Sequence, residues 1–191
     1  LGLELTTALA ALAVGSYICI AYGMLVADQP GPTVGDTTAF DFCDRITATW
    51  LTDIAKVVTV LGSTPAVLLA SAIAAGWLAS RRHWMELAVL LVGVLAILVG
   101  TNVIKDVVDR PRPEGGLIDA HGSSYPSGHA SHAVIYAWIA LVISVRARAG
   151  VSRGTALVVA GVALAAVVGL TRVYLRVHYM SDVSGGWAYG V

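Results

Sequence analysis

Six stretches of this 191-residue chain are apolar enough to cross a bilayer or to begin a crossing, and that removes most folds from consideration. A helical span needs about 20 residues to cover the hydrocarbon core, and only helices or closed barrels satisfy every backbone polar group there. The stretches run over residues 5–27, 54–80, 87–104, 130–145 and 155–170, and a sixth opens at 183–191. Lys56 and Pro65 interrupt the second. The fourth and fifth are short, so their ends are expected to include His129 and Arg172. The expectation is an all-α polytopic protein: one integral-membrane domain over 1–191, built as a six-transmembrane-helix bundle with its active site at one membrane face. Because the chain begins at Leu1 without methionine and ends inside an apolar run, it reads as trimmed at both ends, with the sixth helix cut short.

Composition supports the bilayer as solvent. Residues are 57% hydrophobic and only 13% charged, with a mean hydropathy of +0.78, where a soluble domain carries about 25% charged residues. Residues 1–29 have an alternative reading as a leader peptide, but the apolar run is too long and no basic segment precedes it. Formal net charge is zero, and the twelve basic residues form no stripe that nucleic acid would require. Cys19 sits in an apolar run and Cys43 in a polar loop, which argues against a disulfide between them.

Two polar inserts separate the spans. Residues 28–53 carry Pro30, Pro32 and four aspartates before Trp50. The second half of this insert is expected to lie at the interface as a helix, with Phe40, Phe42 and Trp50 dipping toward lipid. Residues 106–125 are too rich in Pro and Gly to span. Arg81, Arg82, Arg146, Arg148 and Arg153 fall in short turns on one side, which the bias of basic residues toward the cytoplasm marks as inside. The other side carries Arg45, Arg110 and Arg176, and the balance tips only when Lys105, Arg112 and Arg172 are set aside as chemical. This puts the opposite, motif-bearing face outside, in a multi-pass protein of the plasma membrane.

At that face the order of the spans gathers residues remote in sequence. Lys105 ends the third span, Tyr125-Pro126-Ser127-Gly128-His129 leads into the fourth, and Arg172, His178 and Asp182 link the fifth to the sixth. Lys105 and Arg112 can neutralise phosphate oxygens, the arginine in bidentate fashion. Gly128 lets the backbone approach an anion, and its amide and the Ser127 hydroxyl are donors. His178 with Asp182 four residues on is the pairing a nucleophilic or basic imidazole needs, since the carboxylate fixes the tautomer and stabilises the charged form. His129 is a second imidazole, placed to hand a proton to a leaving oxygen.

Lysine, six residues and Arg-Pro; then Pro-Ser-Gly-His; then arginine, five residues, histidine, three residues and aspartate: this order resembles the three-part signature of the type 2 phosphatidic acid phosphatases. The match falls on Lys105, Arg112, Pro113, Pro126, Ser127, Gly128, His129, Arg172, His178 and Asp182. The third element usually opens with serine, and here the position is Thr171, which keeps a hydroxyl. The resemblance implies a metal-independent phosphatase, without cofactor, acting on a lipid phosphate or diphosphate at the membrane surface. It implies that His178 attacks phosphorus to give a phosphohistidine, that Asp182 orients it, and that His129 protonates the departing oxygen and then activates water. Lys105, Arg112, Ser127, Gly128 and Arg172 would hold the phosphate. An outward-facing site favours a polyprenyl diphosphate, followed by phosphatidylglycerol phosphate and phosphatidic acid.

Other readings compete. Lys105 and Arg112 taken singly resemble cations snorkelling at a helix end. His129 and His132, three apart, could ligate a metal, but a third ligand is missing and the clustered cations oppose it. His83, His121 and His132 read as structural or solvated. Arg110 and Arg176 are candidates for contacts behind the site or with headgroups, with Asp106 and Asp109 as their partners. Trp50, Trp77, Trp84, Tyr125, Tyr174 and Tyr179 read as interfacial anchors. A lipid phosphotransferase would use the same phosphohistidine and pass the group to an alcohol. A transporter would also need membrane-embedded ionisable groups, yet these cluster at one face. A binding module would not need both imidazoles.

Overall fold

The computed structural model describes residues 2–28 and 31–191; Leu1, Gln29 and Pro30, and with them the ends of the leader reading, lie outside the described residues. Among these, eight α-helices follow in order: α1 (Gly2–Asp28), α2 (Val34–Arg45), α3 (Thr49–Thr59), α4 (Thr64–Ser80), α5 (Trp84–Val108), α6 (Gly128–Arg146), α7 (Val151–Tyr174) and α8 (Met180–Gly190). Four helices are long and apolar enough to cross a membrane: Ala10–Asp28 within α1, then α5, α6 and α7. A fifth crossing is a bent pair, Thr49–Gly62 with Thr64–Ser80, meeting at 50°. The expected single span over residues 54–80 is thus broken, and Pro65 in the first turn of α4 gives the reason. Proline lacks the amide that would bond back one turn, and its ring collides with the carbonyl there, so the helix restarts after a 3-10 turn at Val60–Gly62. The eleven-residue α8 stands where the sixth span was expected.

The spans are apolar outside as well as in. Only 17% of the α5 window and 39% of the α7 window is buried within the protein, leaving rows such as Val92, Leu95, Val99 and Val103 to face lipid. What α5 buries is a stripe at helical spacing, Leu90, Val94, Ile97 and Thr101; one further step of four along that stripe is Lys105. In α7 the stripe is Gly161, Ala165, Val168 and Arg172. Lys105 and Arg172 therefore stand on the bundle-facing sides of their helices because the apolar period carries them there. Helix α6 is central, packing on α4, α5, α7 and α8. At Gly161 it meets α7 so closely that a Cβ would fall 2.8 Å from the Ala137 Cα, the small-residue approach by which membrane helices gain packing without a hydrophobic drive.

Helix α2 occupies the middle of the 28–53 insert, starting earlier than expected, and α3 begins before the insert ends. Thr33 caps it: its Oγ1 accepts from the Asp36 amide at 3.3 Å while Asp36 Oδ2 accepts from the Thr33 amide at 2.8 Å. Asp36 and Phe40, four apart, share one face and turn inward. Phe40 is thus buried against the Tyr179 ring, centroids 5.7 Å apart, instead of dipping into lipid; Phe42 and Trp50 are exposed as expected. The anchoring role expected of three tyrosines is corrected too. Tyr125, Tyr174 and Tyr179 are buried, the first donating to the Cys19 carbonyl, the second bonding at Ala48, and the third lying under a guanidinium. At the end of the bundle remote from the motifs, Arg81, His83, Arg146 and Arg148 share a cavity of about 440 Å³ with Trp77, and Arg146 pairs with Glu86. The two basic turns therefore occupy one face, as the sequence order implied.

Candidate active site

The three motif segments are tied together by backbone before any side chain is considered. The Ser127 amide donates to the Asp182 carbonyl at 2.9 Å, and the Val177 and His178 amides fold back on the Arg172 carbonyl at 3.2 and 3.3 Å. Helix α5 ends at Asp109 in a left-handed conformation, φ 42° and ψ 43°, turning the chain out into the loop that carries Arg112. Ser127 is the N-cap of α6, so Gly128 and His129 sit in its first turn, where free amides and the helix dipole favour an anion. Helix α8 lies hard against this cap: a Cβ on Gly186 would fall 2.6 Å from the Ser127 carbonyl oxygen, and one on Gly185 would strike the Tyr125 ring. These two glycines, which the sequence reading passed over, set the depth at which Asp182 meets the second motif. Gly128 differs, since a Cβ there would find only ordinary contacts at 3.6 and 3.8 Å.

His178 is buried in the link between α7 and α8. Its Nδ1 faces Oδ2 of Asp182 at 3.5 Å, and its Nε2 lies 3.1 Å from NH1 of Arg112. A guanidinium can only donate, so Nε2 carries the lone pair and the ring proton sits on Nδ1, toward the carboxylate. That is the tautomer a nucleophilic Nε2 requires. Burial lowers the His178 pKa to about 4; Asp182 opposes that shift, and the charges of Arg112 and Arg172 add to it. The ring is therefore neutral across the physiological range.

The cations converge on the same spot. Arg112 donates to the Val177 carbonyl at 2.6 Å and to the carbonyls of His121 and Gly122. Lys105 donates to the Ser123 carbonyl at 2.6 Å. Arg172 is anchored through NH1 to Thr59 Oγ1 at 2.9 Å, a partner no motif announces. Lys105, Arg112 and Arg172 are near enough to feel one another's charge, and His129 is within the same range of Arg112, Arg172 and His178. Five buried side-chain atoms have no hydrogen-bond partner among the described residues: Ser71 Oγ and Thr101 Oγ1 within the bundle, and, at this end of it, Ser127 Oγ, Arg172 Nε and His178 Nδ1, the last lying 3.5 Å from Asp182 Oδ2. Such donors are costly in a native core unless a ligand or water completes them. His132, the other half of the metal reading, turns its Nδ1 to the Gly62 carbonyl at 3.3 Å, and no group of three metal-ligating side chains occurs among the described residues.

Behind the histidine stands a cluster that the sequence reading paired wrongly. Asp106 and Asp109 are exposed; Arg110 is fully buried and bridges Asp182 at 2.6 Å and Asp36 at 3.3 Å. Arg176 pairs with Asp44 at 2.5 Å. Neither partner could be found by spacing, because Asp36 and Asp44 come from α2.

Residues 85–191 match the family model described as the PAP2 superfamily. The chain is 36% identical over 148 residues to phosphatidylglycerophosphatase B of Bacillus subtilis, covering 74% of this chain and 71% of that protein. Its fold is similar to the crystal structure of a transmembrane PAP2-type phosphatidylglycerolphosphate phosphatase from B. subtilis, with a TM-score of 0.80 at 24% identity over 93% of this chain and 90% of that one. It is also similar to Aquifex aeolicus LpxE, with a TM-score of 0.61 at 22% identity over 79% of this chain and 87% of that one.

Proposed function

Because the chain belongs to the PAP2 superfamily and is a membrane-embedded lipid phosphatase, we propose that it works through a phosphohistidine on His178, at a site facing away from the cytoplasm. The Nε2 lone pair attacks phosphorus; the bond from phosphorus to the bridging oxygen breaks, and that oxygen takes its electron pair and a proton from His129, which enters this step as the imidazolium and leaves it neutral. Neutral His129 then removes a proton from water, whose oxygen attacks phosphorus while the P–N bond electrons return to Nε2. Asp182 holds the Nδ1 proton and balances the positive ring during both halves. Arg112, Lys105, Arg172, Ser127 and the Gly128 amide hold the phosphoryl oxygens, the contribution that dominates phosphoryl transfer.

The observation that carries this reading is the setting of the imidazole: Nε2 faces a guanidinium, which can only donate, and Nδ1 faces a buried carboxylate. For attack, NH1 of Arg112 must turn from Nε2 to the phosphate, while its Nε and NH2 stay on the Gly122 and His121 carbonyls. The unpartnered Ser127 and Arg172 donors support a ligand at this end of the bundle, and glycine at position 128 leaves the first-turn backbone of α6 open to an anion.

The substrate follows from depth and from kinship. The site lies at a helix-bundle end bordered by lipid-facing surface, so a phosphate at headgroup level is reached while its chain stays in the bilayer. The 36% identical relative bears the name of a phosphatidylglycerophosphatase, which moves phosphatidylglycerol phosphate ahead of polyprenyl diphosphate and phosphatidic acid. Phosphate release from these three lipids in detergent, beside p-nitrophenyl phosphate, tests the reading. Long-chain lipids should be cleaved far faster, since chain burial contributes about 0.8 kcal/mol per methylene; equal rates on the soluble ester would overturn the lipid assignment.

A further inference from the structure

Arg110, Asp36 and Ser181 form a fully buried polar cluster that reaches the proposed nucleophile through Asp182. NH1 of Arg110 donates to Asp182 Oδ1 at 2.6 Å and to Ser181 Oγ at 2.8 Å, and NH2 to the Gly31 carbonyl at 2.8 Å and Asp36 Oδ2 at 3.3 Å. Its guanidinium carbon lies 3.9 Å over the Tyr179 ring. Asp36 in turn accepts from the Ser181 amide at 2.8 Å and the Ser181 hydroxyl at 2.9 Å. Asp182 is thereby gripped by both oxygens: Oδ1 by Arg110, and Oδ2 by the Tyr179 amide at 2.9 Å on the side that faces His178.

Two features set this apart from ordinary packing. Burying three charges gains the fold little, because apolar side chains of similar volume are commonly as stabilising. The charges of these described side chains also do not cancel: two carboxylates against one guanidinium leave one negative charge, and Asp182 Oδ2 faces the imidazole. Were Asp36 neutral, Arg110 would compensate Asp182 fully, and the carboxylate would stabilise a positive ring less well.

We propose that Asp36 and Arg110 are positioning residues for phosphoryl transfer, with Asp36 on α2 sharing Arg110 so that Asp182 stays oriented and net negative toward His178. The inference rests on His178 as nucleophile. It makes α2, an element outside the three motifs, part of the catalytic machinery.

A double-mutant cycle on full-length protein in detergent tests it. Asp36→Asn should lower kcat about 10- to 100-fold, the usual effect of losing a partner behind a site residue, with KM for the lipid unchanged and Asp36→Glu recovering part of the rate. In an Asp182→Asn background the same change should cost about threefold or less, because the residue it acts through is already disabled. Equal losses in both backgrounds, or a loss matched by the fall in folded protein, would overturn the proposal. Should Asp36→Asn fail to fold, Arg110→Lys carries the same cycle. His178→Ala separates the two readings: if it abolishes turnover while Asp36→Asn is fully active, only the positioning role fails.

Discussion

Gly186 offers a sharp test of how closely the third motif must meet the second. Replacing it by alanine puts a methyl 2.6 Å from the Ser127 carbonyl oxygen, 3.0 Å from Ala130 Cβ and 3.3 Å from Ser131 Oγ. The nearest atom is backbone in the first turn of α6 and cannot rotate away. Ordinary contact begins near 3.4 Å, so α8 must retreat by the difference from 2.6 Å, about 0.8 Å. Asp182 lies one turn earlier on α8, and its carbonyl holds the Ser127 amide, so the retreat pulls the carboxylate from His178 and loosens the anion-binding cap together. Overpacking of this kind costs about 1–3 kcal/mol of stability, and a misplacement near 1 Å costs on the order of 10²-fold in rate. Phosphate release and thermal unfolding in detergent should therefore show kcat falling roughly 10- to 100-fold with a modest loss of stability. Gly76→Ala and Gly93→Ala, where a Cβ meets nothing within 4 Å, should leave the rate unchanged. Wild-type kcat in Gly186→Ala would refute the claim that this contact sets the site.

Three further outcomes are expected. His178, with its pKa lowered to about 4 by burial, contributes fully to stability above the ordinary value of 6.5; that contribution is lost as pH falls from 6.5 toward 4, so unfolding temperature should drop more steeply through that window in wild type than in His178→Asn. Activity should survive EDTA and be inhibited by vanadate, whose trigonal bipyramidal adduct resembles the transition state; loss on chelation restored by one divalent ion would reverse the assignment. In a background lacking Cys19 and Cys43, cysteines at positions 115 and 150 should label from opposite sides, 115 from outside intact cells; the reverse pattern inverts the topology.

The helices and the motif set were legible because both are written locally. The apolar period that buries Leu90, Val94, Ile97 and Thr101 carries Lys105 inward, and the corresponding period on α7 does the same for Arg172. Spacing alone paired His178 with Asp182, four residues on. The Asp36–Arg110–Asp182 bridge was not legible, since an ion pair between distant segments leaves no periodic trace; within its own segment Asp36 reads only as the acidic member of a capping box with Thr33. Tyr125, Tyr174 and Tyr179 were assigned to the interface because aromatic residues at span ends usually lie there, and the structure instead uses their hydroxyls and rings to pin loops and Arg110. The bend at Pro65 could have been read from the ring clash alone. The Gly185-Gly186 pair carried a signal too, small residues adjacent on a membrane helix, without saying which backbone would press against them.

The central claim is covalent, and it is tested by trapping the intermediate. His129→Ala protein mixed with lipid carrying a labelled phosphate, then denatured in alkali where phosphohistidine survives, should retain label on the peptide containing His178 and on no other. The same experiment with His178→Ala should retain none, and that variant should turn over near background. Full turnover by His178→Ala, or label recovered on a different side chain, would contradict the account.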